Sequence, residues 1–589
     1  MRIISELMTQ FLVCVHLNRK IGTGQMSRIN ILNSTRRASP YLVFGLAIAF
    51  LTASPLSIAD EDEDIARHLF EAESALQDNQ YQLAAREYRM AAELSEDPDI
   101  AGQATRIGYS YGFDVDALES ARRWVELDGE NDEAQLYLAQ LYLRTGSIRK
   151  SQRGFEKLLK RSDQPADERL LSLIPLLSQE DAGNAYDLMQ RLAKPYRDSA
   201  EAHYAVAVMA LQAGEPEEAG KRAEMAIGID PEWVKPHLIY ARAMLLRGER
   251  EGAIEYVSRI IGDDPDPDPE ARLELAIMLL SADRDDDALS QVNQILLEQP
   301  SRTDALRLMA IINFRLERLD AARADFEDLL VSGDYTMDAL YYLGRIADRK
   351  EESELAIRYY AQVTRGSNAV LSQRRAAGIL AQTGEEQAAL DHLSHFAEVN
   401  PGFAVDMLQA KAQLLASLKR YPEALEYYDK VVAYRPDDEA AYLGKAELLL
   451  RMDRLDESVS LYRKTARRWP DSAMALNALG YTLADRTDRY DEAAKLIQKA
   501  LKMEPDSAAI IDSWGWVLHR QGQHDEALLH LERAYKLYRD PEVASHIVDV
   551  LWALDRKDDA KSVLETAEVE FPDNEFLKDV RERLFEDTP

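Results

Sequence analysis

Small residues recur along most of this chain at steps of 33 to 35 residues. They are Ala84, Ala117, Ser151, Ala185, Ala219, Ala253, Ala288, Ala322, Ala356, Ala389, Ala424, Ser458, Ala493, Ala527 and Ala560. Around them the apolar positions keep helical spacing. Ala493, Ile497 and Ala500 are four and three residues apart, as are Ala527, Leu531 and Ala534, so each triplet lies on one helix face. A repeat of this length marks a stacked array rather than an ordinary domain.

Each unit can be numbered so that the recurring small residue is position 20. Position 8 is then also small in most units: Ala72, Ala139, Ala207, Ala241, Ala276, Ala310, Gly344, Ala377, Ala412, Ala446 and Gly515, with Gly480 as its counterpart in a unit one residue longer between the two positions. Two antiparallel helices approach closely only where side chains are small, so positions 8 and 20 are expected at a helix crossing. Position 24 supplies a large knob: Tyr88, Phe155, Phe326, Tyr360, Tyr428 and Tyr462. Prolines at 231, 265, 300, 401, 436, 470, 505 and 572 are expected to end second helices, because proline lacks a donor and clashes with the preceding turn.

This wording, with Gly480-Tyr481 or Trp514-Gly515 in the first helix, resembles the tetratricopeptide repeat (TPR). The resemblance implies an all-α fold, an α-solenoid wound as a right-handed superhelix of about fifteen helix-turn-helix units. Four segments are expected: 1–59 as an N-terminal extension and signal peptide or uncleaved anchor; 60–199 as degenerate repeats; 200–574 as the TPR superhelix; and 575–589 as a capping segment. In the degenerate part, Trp124 stands where alanine is usual and Leu173 holds position 8. The run Asp263-Asp264-Pro265-Asp266-Pro267-Asp268-Pro269 reads as a stiff acidic turn between units.

The N-terminus follows a different pattern. Arg28, Arg36 and Arg37 precede an uncharged run from Ala38 to Ala59, followed by Asp60-Glu61-Asp62-Glu63-Asp64. A positive start, an apolar middle and small residues at Ser57 and Ala59 form the secretory pattern, with cleavage expected after Ala59. The alternative is a retained anchor, since the run is long enough to span a bilayer. Met26 is a more usual start than Met1. The expected location is periplasmic, membrane-associated only if the apolar run is kept. Asp60 stands where a lipid-anchored protein would carry cysteine, and Cys14, the only cysteine, lies too early.

Charge narrows the partners. The chain has 104 acidic and 71 basic residues, a formal net charge of −33, and residues 1–59 hold six of the bases and one acid. Such a surface repels phosphates and anionic lipid, which sets nucleic acid and membrane surfaces aside as main ligands.

Candidate chemistry is sparse. Gly108-Tyr109-Ser110-Tyr111-Gly112 matches the hydrolase elbow in letters, but that elbow needs a strand before its serine, and here the register gives a helix end. His392 and His395 share a helix face without a third ligand, and a metal site needs one. No cofactor, metal or catalytic residues are assigned, and enzyme activity is not expected.

The family register instead points to protein binding. In TPR arrays, positions 2, 5, 9, 12 and 13 of first helices face inward. Here they give Arg307, Phe314, Tyr341, Arg345, Arg349, Asn477, Tyr481, Asp512, Trp516, His519, Arg520 and Trp552. Aromatics and arginine are favoured at protein interfaces. Trp516 and Trp552 can alternatively pack between repeats. The Lys/Asn carboxylate clamp of some TPR domains is not matched: the corresponding pairs are Leu443/Glu447, Asn477/Tyr481 and Asp512/Trp516.

Three stretches are more specific: Ala475 to Thr487; Tyr342-Leu343-Gly344-Arg345-Ile346-Ala347 leading to Tyr360-Ala361-Gln362-Val363; and Glu542-Val543-Ala544-Ser545-His546 leading to Val550-Leu551-Trp552-Ala553. Together they resemble the TPR adaptor lipoproteins of gamma-proteobacteria that partner a periplasmic carboxy-terminal processing protease. The resemblance implies a scaffold that binds the protease and presents cell-wall (peptidoglycan) hydrolases to it. The alternative is a scaffold for another envelope assembly, such as polysaccharide export or outer-membrane biogenesis.

Overall fold

The computed structural model describes residues 58–586, apart from 79, 162–164 and 265. The apolar run before Ser57, the upstream extension and Pro265 lie outside these residues. The first described helix starts at Ile58, so the expected processing point after Ala59 falls in its first turn. Among the described residues there are thirty-one α-helices and no strand, and no helix is long and apolar enough to cross a membrane.

The helices alternate as first and second helices of the repeats: seven pairs before Thr303–Arg315, seven pairs after Leu319–Ser332, and a short last helix, Glu575–Arg581. Two compact units divide them, one ending at Arg318 and one starting at Leu319. In each, helix pairs stack to build an apolar core that no single pair could bury. The stretches with degenerate repeats form pairs as well, for example Pro98–Ser110 with Asp114–Leu127.

The crossing is where the repeat pattern places it. All fifteen position-20 residues lie in second helices, and none is more than 1% exposed. A β-carbon added at Gly480 would lie 2.6 Å from Cγ1 of Ile497, and one at Gly515 would lie 2.7 Å from Cγ of Leu531. Position 8 thus faces position 24 of the same unit. Where serine replaces alanine, Ser458 Oγ donates to the Ala446 carbonyl at 2.7 Å, tying position 20 to position 8. Trp124 fits because Gly102 faces it: a β-carbon there would lie 3.0 Å from the indole.

Turns are set by backbone conformation. In twelve units the residue five before position 20 takes positive φ, as in Gly214 (76°) and Gly522 (81°), but also Lys419 (59°) and Asp453 (57°). Second helices end two residues before their prolines, for instance Tyr421–Tyr434 before Pro436 and Tyr490–Met503 before Pro505. An Asp, Asn or Ser cap then opens many of the next first helices. Asp438 accepts from the Ala441 amide at 3.1 Å and Ser472 from the Ala475 amide at 3.0 Å, satisfying donors the helix start leaves free. In the acidic turn, Asp268 accepts from the Glu270 amide in the same way.

The terminal helix closes the second unit. Leu577 and Val580 are buried, Arg581 pairs with Glu568, and Arg583 pairs in bidentate fashion with Asp549 at 3.0 and 2.9 Å.

Three substitutions test this account. Ala527→Leu overpacks the crossing and is expected to destabilise by about 1–3 kcal/mol, whereas Leu529→Ala on the exposed face changes stability by less than about 0.5 kcal/mol. Lys419→Gly relieves a left-handed lysine and is expected to stabilise by up to about 1 kcal/mol. Urea unfolding followed by circular dichroism measures all three.

Candidate functional site

Three successive first helices of the second unit carry the residues of interest: Ala473–Arg486, Ala508–Arg520 and Pro541–Ala553. Gly480 and Gly515 admit the second helices on one face. Caps fix two of the starts: Ser472 on Ala475, and Asp540 accepting from the Glu542 amide at 2.8 Å. Another face is left to carry Asn477, Tyr481, Asp512, Trp516, Glu542 and His546.

All of these side chains but Asn477 form one network across the three repeats. Tyr481 Oη donates to Glu542 Oε1 at 2.7 Å and lies 3.4 Å from His546 Nε2. His546 Nδ1 meets Asp512 Oδ1 at 2.9 Å, both side chains buried. The Trp516 ring stacks on His546 with centroids 4.2 Å apart and on His519 at 5.0 Å. His519 Nδ1 lies 3.1 Å from His524 Nδ1. Arg520 donates to the Asp485 carbonyl at 2.9 Å and to the Tyr490 hydroxyl at 3.0 Å. Trp516 Nε1 and Asn477 Oδ1 are buried without a hydrogen-bond partner among the described residues.

The electrostatics follow from burial. Burial raises the Tyr481 phenol, with the Glu542 carboxylate adding to it. Burial also raises the Glu542 carboxyl, although the Tyr481 hydrogen bond works against this. For His546 burial opposes the charged form, but Asp512 outweighs it and the imidazole is raised. His519 is pushed down to about 4, by burial first and by His524 next.

The other expected residues stand elsewhere. Arg307 and Phe314 lie on Thr303–Arg315 in the first unit, and Phe314 is buried. Tyr341 and Arg345 share the helix Thr336–Arg349, with the guanidinium 5.6 Å from the Tyr341 ring and 5.5 Å from that of Tyr342. Trp552 packs edge-on against Phe585 at 4.8 Å. The register singled out neither Glu542 nor His546 as a site residue. Glu542, eighteen residues before Ala560, holds position 2 and was within its reach. His546 holds position 6, which the register does not point inward.

The remaining sequence motifs have structural roles. Ser110 is exposed at the end of its helix; Gly108 abuts Ala117 and Gly112 takes φ of 77° in the turn. His392 Nε2 meets Gln373 Oε1 at 2.8 Å, and that amide in turn donates to the Tyr360 and Val363 carbonyls. Among the described residues, one group could geometrically hold a cation: His68, Glu71 and Glu87, with donor atoms within 4.8 Å of one another. Its members already have partners: His68 Nδ1 meets Glu87 Oε2 at 2.7 Å, and Arg67 pairs with Glu71 at 3.7 Å.

A pH prediction follows from His519. Because its folded value lies below the unfolded one, it contributes stability fully present above pH about 6.5 that is lost as pH falls towards about 4. His519→Gln is expected to flatten the stability profile across that interval, as read from urea midpoints at stepped pH.

Comparison with known proteins bears on the whole array. Tetratricopeptide repeat profiles match residues 244–312, 307–370, 410–473, 443–508 and 482–544. The TPR repeat-containing protein PA4667 of Pseudomonas aeruginosa is 30% identical over 500 residues, covering 84% of this chain and 84% of that protein. Among solved structures, yeast Tom70 aligns at 16% identity over 89% of this chain and 96% of that one, with a TM-score of 0.32. The APC/C hetero-tetramer Cut9-Hcn1 aligns at 16% over 89% and 97%, also at 0.32. By its repeats and by its likeness to the Pseudomonas protein along most of both chains, the chain belongs to the tetratricopeptide repeat family.

Proposed function

We propose that this protein is a non-enzymatic scaffold of the bacterial envelope that binds other proteins through its first helices. TPR proteins bind protein partners generally, and the array here has the same construction. The more specific reading is an adaptor for a periplasmic carboxy-terminal processing protease and its cell-wall hydrolase substrates. One observation carries it. The sequence stretches that resemble those adaptors supply Asn477 and Tyr481 from one segment and Glu542 and His546 from another, and the fold joins Tyr481 to both Glu542 and His546. Trp516 lies between these two segments along the chain, with a buried indole N–H that meets no acceptor among the described residues.

The N-terminal pattern supports export to the periplasm, with the apolar run either cleaved or kept as an anchor. Asp60 in place of a lipidation cysteine leaves the outer-membrane tether of those adaptors without a counterpart here.

Affinity capture of the tagged exported chain from envelope extract, read by mass spectrometry, tests the proposal. Recovery of a carboxy-terminal processing protease with peptidoglycan hydrolases is the expected result. Trp516→Ala is expected to weaken capture by about 2 kcal/mol or more, as aromatic anchors at interfaces do. Tyr481→Phe, which keeps the ring, is expected to weaken it less. Recovery of export or outer-membrane assembly components without a protease would sink the adaptor reading.

A further inference from the structure

A second site lies in the first unit, on different helices. The helix Ala182–Ala193, the loop after it and the helix Pro216–Ile229 border a cavity of about 910 Å³. That volume is inside the range of ligand pockets, roughly 300–1,000 Å³. Arg191, Lys194, Arg197 and Arg222 line it, with Asp198 as the one acid among the lining residues. Such a cluster runs against a chain of net charge −33.

Cations elsewhere in the chain commonly find acids. Arg242 forms a bidentate pair with Glu274, and Arg435 one with Asp406. At the cavity only Arg222 does so, with Glu218 at 2.7 Å. Among the described residues, Arg191, Lys194 and Arg197 have no ion-pair partner. Beside them Met225 is 40% exposed and Ile229 45% exposed, both within the same cavity. Unpaired cations next to uncovered apolar side chains suit a ligand that carries carboxylates and an apolar group together. An inorganic anion would leave the apolar wall wet.

We infer that this cavity binds an acidic peptide segment, its carboxylates on Arg191, Lys194 and Arg197 and an apolar side chain on Met225 and Ile229. At physiological salt the Debye length is about 8 Å, so the distant acids of the chain are screened and the local cations dominate. The site is independent of the Trp516 network, and its failure leaves the scaffold reading untouched.

Fluorescence anisotropy with the full chain at 0.15 M salt, a concentration chosen to give that screening, tests it. The probe is a fluorescein-labelled peptide of repeated Glu-Glu-Leu, and its Gln-Gln-Leu counterpart is the control. Saturable binding of the acidic peptide alone is expected. The triple reversal R191E/K194E/R197E should weaken it at least about tenfold, equivalent to about 1.4 kcal/mol. Met225→Ser should weaken it by a smaller factor. A charge-matched reversal in the second unit, R467E/K495E/K502E, should leave it within about twofold. No binding, equal loss in both triple variants, or equal binding of the Gln peptide overturns the assignment. Displacement by inorganic phosphate at equal ionic strength overturns it in favour of a small-anion site. If the triple variant fails to fold by circular dichroism, the Gln-peptide comparison and Met225→Ser still decide.

Discussion

The close approach of two helices within each repeat is the constraint on which this protein depends. At Gly480 a single added carbon would meet Ile497 at 2.6 Å, so the helices pack at a distance only hydrogen or a methyl group permits. Interiors are packed as densely as organic crystals, and a larger residue at the crossing must push the pair apart. The rule concerns fit rather than smallness alone. Trp124 occupies a place usually held by alanine, and it is tolerated because Gly102 recedes opposite it.

Because the crossing recurs, first helices of successive units come to lie near one another. Residues far apart in sequence then become partners: Tyr481 reaches Glu542, and Asp512 reaches His546. These buried contacts differ in weight from the many ion pairs outside. An exposed pair such as Arg556 with Asp559 contributes about 0–1 kcal/mol. Removing one partner of a buried pair leaves an uncompensated charge, at about 3–5 kcal/mol. The network therefore holds three repeats in register, and beside it an indole N–H and the Asn477 amide oxygen are buried with no partner among the described residues.

A scaffold of this construction can carry separate sites, because each helix of a repeat has a face not consumed by its crossing. The first helices of the second unit use it for an aromatic and carboxylate network. In the first unit, second helices and one loop gather cations instead.

Much of the fold was legible in the chain. The period of small residues located all fifteen second helices, and eight prolines marked the ends of eight of them to within two residues, because those features are local or strictly periodic. The left-handed turns were not legible, since Lys419 and Asp453 adopt a conformation their side chains do not advertise. The site was legible in part. Tyr481, Asp512 and Trp516 followed from the family register, and Glu542 stood in it unremarked. His546 did not follow, because only the packing of one helix against the next turns its imidazole onto Trp516. The cation-lined cavity was invisible for the same reason: Arg191 and Arg222 belong to different repeats. The sequence by itself determined the repeat, its crossing and its helix ends, which depend on residue size and backbone chemistry along one strand of chain. Which polar groups meet across repeats was decided by tertiary structure alone, because it depends on the rotation of each pair against its neighbour.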